Sequence, residues 1–189
     1  YGLFDYEIPF FATGKLEIID THSTNPDAVV SIFNNPECYK ADNGNYIVDM
    51  GQNFAGVCRL SIPACDEGTT ITLVHGERLT SAGLVYTGNL NKAEQTDCFI
   101  SDGKAAIFEP QFTYHGFQYA EISGYPRELT VDDIKGIVLT SDLDYTGTFT
   151  SSSDSVNKMY SANLWSQYSN FLSVPTDCPQ RSERSGWLG

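Results

Sequence analysis

Positive charge is scarce in this sequence. Of 189 residues, 11 are Lys or Arg and 24 are Asp or Glu, a formal net charge of -13. That balance argues against nucleic acid and anionic membrane as partners, because both are polyanions and repel an acidic surface. Long hydrophobic runs are missing too. No stretch approaches the roughly 18–20 apolar residues of a membrane-spanning helix. No signal-peptide pattern opens the chain. Residue 1 is Tyr rather than Met, so the natural N-terminus is expected to lie upstream.

Metal-ligand patterns are equally absent. Cys38, Cys58, Cys65, Cys98 and Cys178 form an odd, scattered set with no CxxC pair, which suits neither a disulfide framework nor a zinc site. They are expected to be reduced and to pack as small hydrophobes, a lean toward a reducing, cytoplasmic compartment. His22, His75 and His115 show no HxH or HExxH spacing and read as ordinary structural or surface residues. Asp132-Asp133 and Asp142/Asp144 lack the regular alternation of a calcium loop and read as surface carboxylates. With no Gly-rich phosphate loop, internal repeat or low-complexity tract, no metal or cofactor is expected.

What the chain does have is core-forming residues. Hydrophobic residues make up 41%, aromatic residues 13% and charged residues 19%, which excludes intrinsic disorder. A chain of this length folds as one domain or slightly more, burying on the order of 70% of its unfolded surface. Its charge is unevenly spread. Residues 1–144 hold 21 acidic and 8 basic residues, whereas residues 145–189 hold 3 of each. Such a shift marks a candidate domain boundary.

The hydrophobic period changes at the same place. Upstream lie short runs rich in β-branched and aromatic residues, at 46–48, 57–62, 70–74, 97–100, 117–122 and 137–139. Turn signals separate them: Asp42-Asn43-Gly44, Asp66-Glu67-Gly68, Ser81-Ala82-Gly83, Ser101-Asp102-Gly103 and Gly124-Tyr125-Pro126. Gly51-Gln52-Asn53-Phe54 and Ala55-Gly56 read as a turn or bulge. With no helical pattern between the runs, they predict an antiparallel β-sandwich. Downstream, Val156, Met159, Tyr160, Leu164, Tyr168 and Phe171 recur at spacings of three and four. This predicts an amphipathic helix over about 154–171, capped by Ser151–Ser153 and stopped by Pro175 and Pro179. Trp165 and Tyr168 read as core rather than as a sugar platform. Such a helix either packs on the sandwich or opens a domain that continues beyond Gly189.

The densest collection of chemically active residue types is Pro175–Gly189, with two carboxylates, two guanidiniums and a Trp. Composition leaves two readings open, a rigid binding loop and a solvated connector with Arg–carboxylate pairs. Tyr114, His115 and Phe117 likewise either line a groove on the sandwich or, the favoured reading, pack at a sheet edge.

The run Phe171-Leu172-Ser173-Val174-Pro175-Thr176-Asp177-Cys178-Pro179-Gln180-Arg181, followed by Glu183-Arg184 and Gly186-Trp187, closely resembles the signature of bacterial α-L-rhamnosidases of glycoside hydrolase family 78. Segments 49–56, 69–73, 84–90, 108–117 and 141–143 resemble the same family in collinear order, so the resemblance covers about residues 25–189. It implies a mainly β fold, a concanavalin-like (jelly-roll-like) antiparallel β-sandwich over 1–145, with residues 1–25 a poorly matched lead-in. Residues 146–189 would then be the opening helix and first active-site loop of an (α/α)6 barrel that continues beyond this chain.

The resemblance also assigns roles. An inverting glycosidase needs one carboxyl group as general acid and a second, roughly 6.5–9.5 Å away, to activate water. Glu183 matches the acid, Asp177 and Arg181 match residues that hold sugar hydroxyls, and Trp187 matches an apolar wall against the sugar. The base would come from a later barrel loop, and the substrate would be a rhamnose-containing glycoside or polysaccharide. Ser182 departs from the family pattern, which has an acidic residue there. That carboxylate would raise the pKa of Glu183 by like-charge repulsion. Two alternatives stand beside this reading: a non-catalytic carbohydrate-binding or structural sandwich, and the same fold acting on another sugar.

Overall fold

The computed structural model describes residues 28–33, 37–141, 147–172 and 174–181. All strand pairings in it are antiparallel. The strands are β1 (Ala28–Phe33), β2 (Glu37–Lys40), β3 (Tyr46–Ile62), β4 (Thr70–Gly76), β5 (Thr96–Ile100), β6 (Ala106–Phe108), β7 (His115–Ser123) and β8 (Ile134–Thr140). They form one connected sheet of eight strands. Its main path runs β1-β8-β3-β7-β4-β5, with β2 and β6 also pairing to β3.

β3 organises this sheet. Two of the predicted runs merge into this single strand of 17 residues. Its first half pairs with β2 and β7, and its second half with β8 and β6. The break falls between Asp49 and Phe54, where the register to β7 shifts. Gly51 makes it possible, since its φ of 77° lies in the left-handed region that glycine enters without steric cost. Its N–H bonds to Asp49 Oδ1 at 2.8 Å, which closes the bulge locally.

The sheet wraps one main core. Phe54, Cys58 and Leu60 of β3 meet Ile71 and Leu73 of β4, Phe117, Ala120 and Ile122 of β7, and Ile134 and Val138 of β8. Each large apolar side chain buried there contributes on the order of 1.5–3 kcal/mol. Phe117 sits at the centre. Its ring lies 4.6 Å from the Phe54 ring and 4.6 Å, edge-on, from the His75 ring.

Helix α1 (Asp154–Asn170) follows, then β9 (Phe171–Leu172) and β10 (Val174–Pro175), a short antiparallel pair. The helix lies where the sequence period predicts it, but it turns a different face inward. Trp165 and Ser169 are its buried residues, and Trp165 joins the main core. Met159, expected on the apolar face, is 68% exposed, and Val156, Tyr160 and Leu164 are only half-buried. The physical reason is that the helix packs on β3 and β8, and it is the large Trp165 ring that enters the main core there, with Tyr168 packed against it. On the other stripe, the Tyr160 ring lies 5.2 Å from the Phe149 ring.

Three further expectations are corrected. β7 is an interior strand between β3 and β4, so His115 and Phe117 are central core residues, not edge packing. Asp133 is buried rather than on the surface. It accepts bonds from the Thr130 N–H at 2.9 Å and from both terminal nitrogens of Arg127. Burial alone would raise its pKa, but the bonds from Arg127 and Thr130 outweigh that and hold it below the usual carboxylate range. All five cysteines are unpaired, as expected. Cys58 is a fully buried core hydrophobe, whereas Cys98 is exposed. His22, Asp142 and Asp144 lie outside the described residues. No helix among the described residues is long and apolar enough to cross a membrane.

Candidate functional site

The end of α1 is tied to the end of β8. The Ser141 N–H and the Thr140 hydroxyl both donate to the Phe171 carbonyl, at 2.5 and 3.1 Å. The chain then turns through β9 and β10 and returns to the helix terminus, where the Thr176 N–H donates to the Asn170 carbonyl at 2.7 Å. The Thr176 hydroxyl bonds Asn170 Oδ1 at 3.2 Å. These bonds satisfy helix-end groups that otherwise have no partner, and they fix where the following loop begins.

That loop, Asp177–Arg181, carries the first two predicted site residues. Thr176, Cys178 and Pro179 are buried and anchor it, while the Asp177 side chain is 51% exposed. Arg181 Nε donates to Cys178 Sγ at 3.3 Å, and an Arg181 terminal nitrogen lies 3.9 Å from Asp177 Oδ2. Asp177 and Arg181 are therefore brought together, with opposite charges presented side by side. Burial pushes the Cys178 thiol up, so it remains protonated and acts as packing rather than as a nucleophile. Glu183 and Trp187 lie outside the described residues.

Asp177 stands at the wall of a cleft of about 470 Å³ between the sheet and α1. The volume lies within the range of small-ligand sites. One side is the β3 bulge, Gln52 and Asn53, with Glu77 and Gln118. The other is Ser166, Ser169 and Asn170 of the helix, and the Asp177–Gln180 loop closes the end. The Glu77 carboxylate is held in place by Asn53 Nδ2 at 2.8 Å and Asn89 Nδ2 at 3.2 Å. Gln118 Nε2 is held by Asp49 Oδ1 at 3.0 Å. Amides and carboxylates fixed by these bonds are the donor and acceptor groups that a sugar's hydroxyls need.

A second cluster escaped sequence reasoning. His75, Asp97 and His115 come from three different strands or strand ends, and their ligand atoms lie within 4.8 Å of one another, all buried. The two imidazoles stack with centroids 4.3 Å apart and planes 17° apart. His115 Nε2 donates to Asp97 Oδ2 at 2.9 Å, and His75 Nδ1 donates to the Gln95 carbonyl at 3.1 Å. Burial, reinforced by the neighbouring His115, pushes the His75 pKa down to about 3, so its ring is neutral at physiological pH. Only strand pairing could reveal this cluster: β4 lies between β5 and β7, which brings residues 75, 97 and 115 to one end.

The eight-stranded antiparallel sheet, followed by one helix and a short loop, defines a mainly β class with a helical segment at its end. Residues 39–140 match the bacterial alpha-L-rhamnosidase concanavalin-like domain, and residues 144–189 match the bacterial alpha-L-rhamnosidase 6 hairpin glycosidase domain. The chain belongs to the bacterial α-L-rhamnosidase family. It is 41% identical over 147 residues to an alpha-L-rhamnosidase of Streptomyces avermitilis, a match covering 77% of this chain and 14% of that protein. It is 38% identical over 184 residues to one of Formosa agariphila, covering 96% of this chain and 19% of that protein.

The solved alpha-L-rhamnosidase from Dictyoglumus thermophilum superposes with a TM-score of 0.83 at 36% identity, over 87% of this chain and 19% of that one. The Streptomyces avermitilis alpha-L-rhamnosidase complexed with L-rhamnose superposes with a TM-score of 0.81 at 36% identity, over 86% and 16%. The chain thus spans less than a fifth of the length of these relatives.

Proposed function

We propose that the whole protein containing this chain is an inverting α-L-rhamnosidase that removes terminal α-L-rhamnose from glycosides or polysaccharides. In this reading residues 1–145 are its sandwich and residues 146–189 open its catalytic barrel. The observation that carries the proposal is the loop Asp177–Arg181, which sets the Asp177 carboxylate at the wall of a polar cleft with the Arg181 guanidinium 3.9 Å from it. Asp177 accepts hydrogen bonds from sugar hydroxyls and Arg181 donates to them, a pairing that fixes the ring's orientation. Glu183, two residues further on, protonates the leaving oxygen. A carboxylate from a later barrel loop takes a proton from the attacking water. Trp187 covers the apolar face of the sugar.

The test is hydrolysis of p-nitrophenyl α-L-rhamnoside by the whole protein, with proton NMR following the first-formed anomer. Release of β-L-rhamnose, lost in Glu183→Gln, is the expected result. Release of the α anomer, or full activity in Glu183→Gln, refutes the assignment. The 189-residue chain alone is expected to be inactive, since it carries no base and catalytic carboxylates act as a unit.

A second reading, a sandwich that binds sugar independently of catalysis, is favoured by one surface feature. A groove of about 620 Å³ is lined by Tyr39, Lys40, Tyr46, Tyr125 and Arg127 and shares no lining residue with the Asp177 cleft. Calorimetric titration of this chain with L-rhamnose decides between them. Heat lost in Tyr39→Ala but kept in Asp177→Ala supports the groove.

A further inference from the structure

Between Asp177 and Arg181, the loop rests on the sandwich at two points. Gln95, 1% exposed, donates its side-chain Nε2 to the Gln180 carbonyl. Gly116 lies directly beneath the chain there. A Cβ on it would sit 2.8 Å from the Gln180 nitrogen and 2.9 Å from the Pro179 ring, closer than packed carbon tolerates. Both contacts come from the β domain, and both bear on the backbone between the two predicted sugar-binding side chains.

The buried His–Asp–His cluster lies immediately behind these two points. The Gln95 carbonyl accepts from the His75 backbone N–H at 2.8 Å and from His75 Nδ1 at 3.1 Å, which fixes Gln95 against β4. Asp97, two residues on, accepts from His115 at 2.9 Å, and His115 directly precedes Gly116. The two loop contacts are therefore linked to each other through the cluster.

Metal binding is the other use of such a residue set, and the geometry disfavours it. Ligand atoms around a tetrahedral zinc ion stand about 3.3 Å apart, given bonds of about 2.0–2.1 Å. The Asp97–His115 contact is shorter, at 2.9 Å, and the His75–Asp97 contact longer, at 3.9 Å. Stacked rings also aim their in-plane lone pairs side by side rather than at one point. The cluster does retain two buried acceptor or donor atoms without partners, His75 Nε2 and His115 Nδ1. Buried polar atoms left unpaired are destabilising, and a core built for stability alone would avoid them with apolar residues.

We infer that Gln95 and Gly116, held in register by His75, Asp97 and His115, are positioning residues that set the backbone of the sugar-binding loop from the sandwich side. The inference rests on the reading of Asp177 and Arg181 as sugar-binding groups. Its physical basis is that a displacement of 1 Å in a positioning element costs up to about 100-fold in rate.

Two variants of the whole protein test it. Gln95→Met keeps the volume and deletes the bond to Gln180. Gly116→Ala inserts the Cβ that meets the loop. Ile71→Val, in the same core but with no place in the cluster, serves as the control. Two readouts apply at 25 °C: kcat and KM on p-nitrophenyl α-L-rhamnoside, and amide hydrogen exchange of the 178–181 segment. Both test variants are expected to lose about 10- to 100-fold in kcat/KM, to raise KM, and to exchange faster in that segment, while Ile71→Val lowers only Tm. Wild-type kcat/KM and wild-type exchange in a folded Gln95→Met or Gly116→Ala overturn the inference. If the wild-type protein has no rhamnosidase activity, the reading of the site fails, and the exchange data alone decide the positioning role: faster exchange in the variants sustains it and unchanged exchange refutes it.

Discussion

Acidification should destabilise this domain well above the carboxylate range, and His75 is the reason. Its ring is 0% exposed and its pKa falls to about 3, whereas an unfolded chain binds the proton near 6.5. Between those values the unfolded state holds more protons than the native state. Stability therefore rises with pH across that window, is fully present above about 6.5, and is lost as pH falls toward 3. Linkage gives a limiting slope of about 1.4 kcal/mol per pH unit, so lowering the pH from 6.5 to 4.5 costs about 2 kcal/mol from this one group. With a urea m-value of about 2 kcal/mol/M, the midpoint moves down by about 1 M. Urea titrations of the 189-residue chain at both pH values, beside His75→Phe, isolate the effect. Asp133, with its lowered pKa, titrates below the window. His75→Phe also gives up the bond to Gln95, so its absolute stability is no guide. What matters is that its midpoint should depend less on pH. Equal pH dependence in the two proteins between 6.5 and 4.5 would refute the reasoning.

Other consequences are as direct. Phe117→Ala empties the centre of the main core between Phe54 and His75 and should cost about 3–5 kcal/mol in urea unfolding, with Cys58→Ala much milder. Asp133→Asn removes the carboxylate that Arg127 and Thr130 hold, so it should lower Tm at pH 7. Because the Asp133 pKa is depressed, the difference from wild type should vanish as pH falls below the carboxylate range. Ser182→Asp in the whole protein places a like charge beside Glu183 and should shift the alkaline limb of the pH–rate profile upward; an unmoved limb counts against that effect.

The β-strands, their turns and the helix span were legible because they are local. Alternation over 70–74 and 117–122 and a glycine at each turn are properties of a few consecutive residues, and Gly44, Gly68, Gly83, Gly103 and Gly124 all take positive φ as those turns require. The irregularity at Gly51 falls inside the 51–56 segment that reads as a turn or bulge, although Phe54–Gly56 belong to the regular strand. Which helix face turns inward was not. Spacing marks apolar positions, but it does not say which stripe the sheet will meet, and Trp165 with Ser169 outcompeted the longer Val156–Leu164 stripe. Of the candidate site, Asp177 and Arg181 are neighbours in sequence, and their pairing follows from a short rigid loop.

The other half of the site depends on contacts far apart in the chain, and this is why the histidines read as unremarkable. His75, Asp97 and His115 are separated by 22 and 18 residues, so no motif spacing links them. His75 and Asp97 meet because β4 pairs with β5 in a register that puts Leu73 opposite Asp97 and Val74 opposite Thr96, and His115 joins them from the start of β7, the strand on the other side of β4. A one-residue slip of β4 against either neighbour would send the His75 ring to the opposite face and dissolve the cluster. Gln95, directly before β5, and Gly116 of β7 flank the cluster and meet the Gln180 backbone. The sheet's hydrophobic pattern, through Ile71 and Leu73 on the core face, thus selects the register that also seats the loop. Core packing and site geometry are set by one choice, and substitutions that weaken the β4 register should disturb the loop before they unfold the domain.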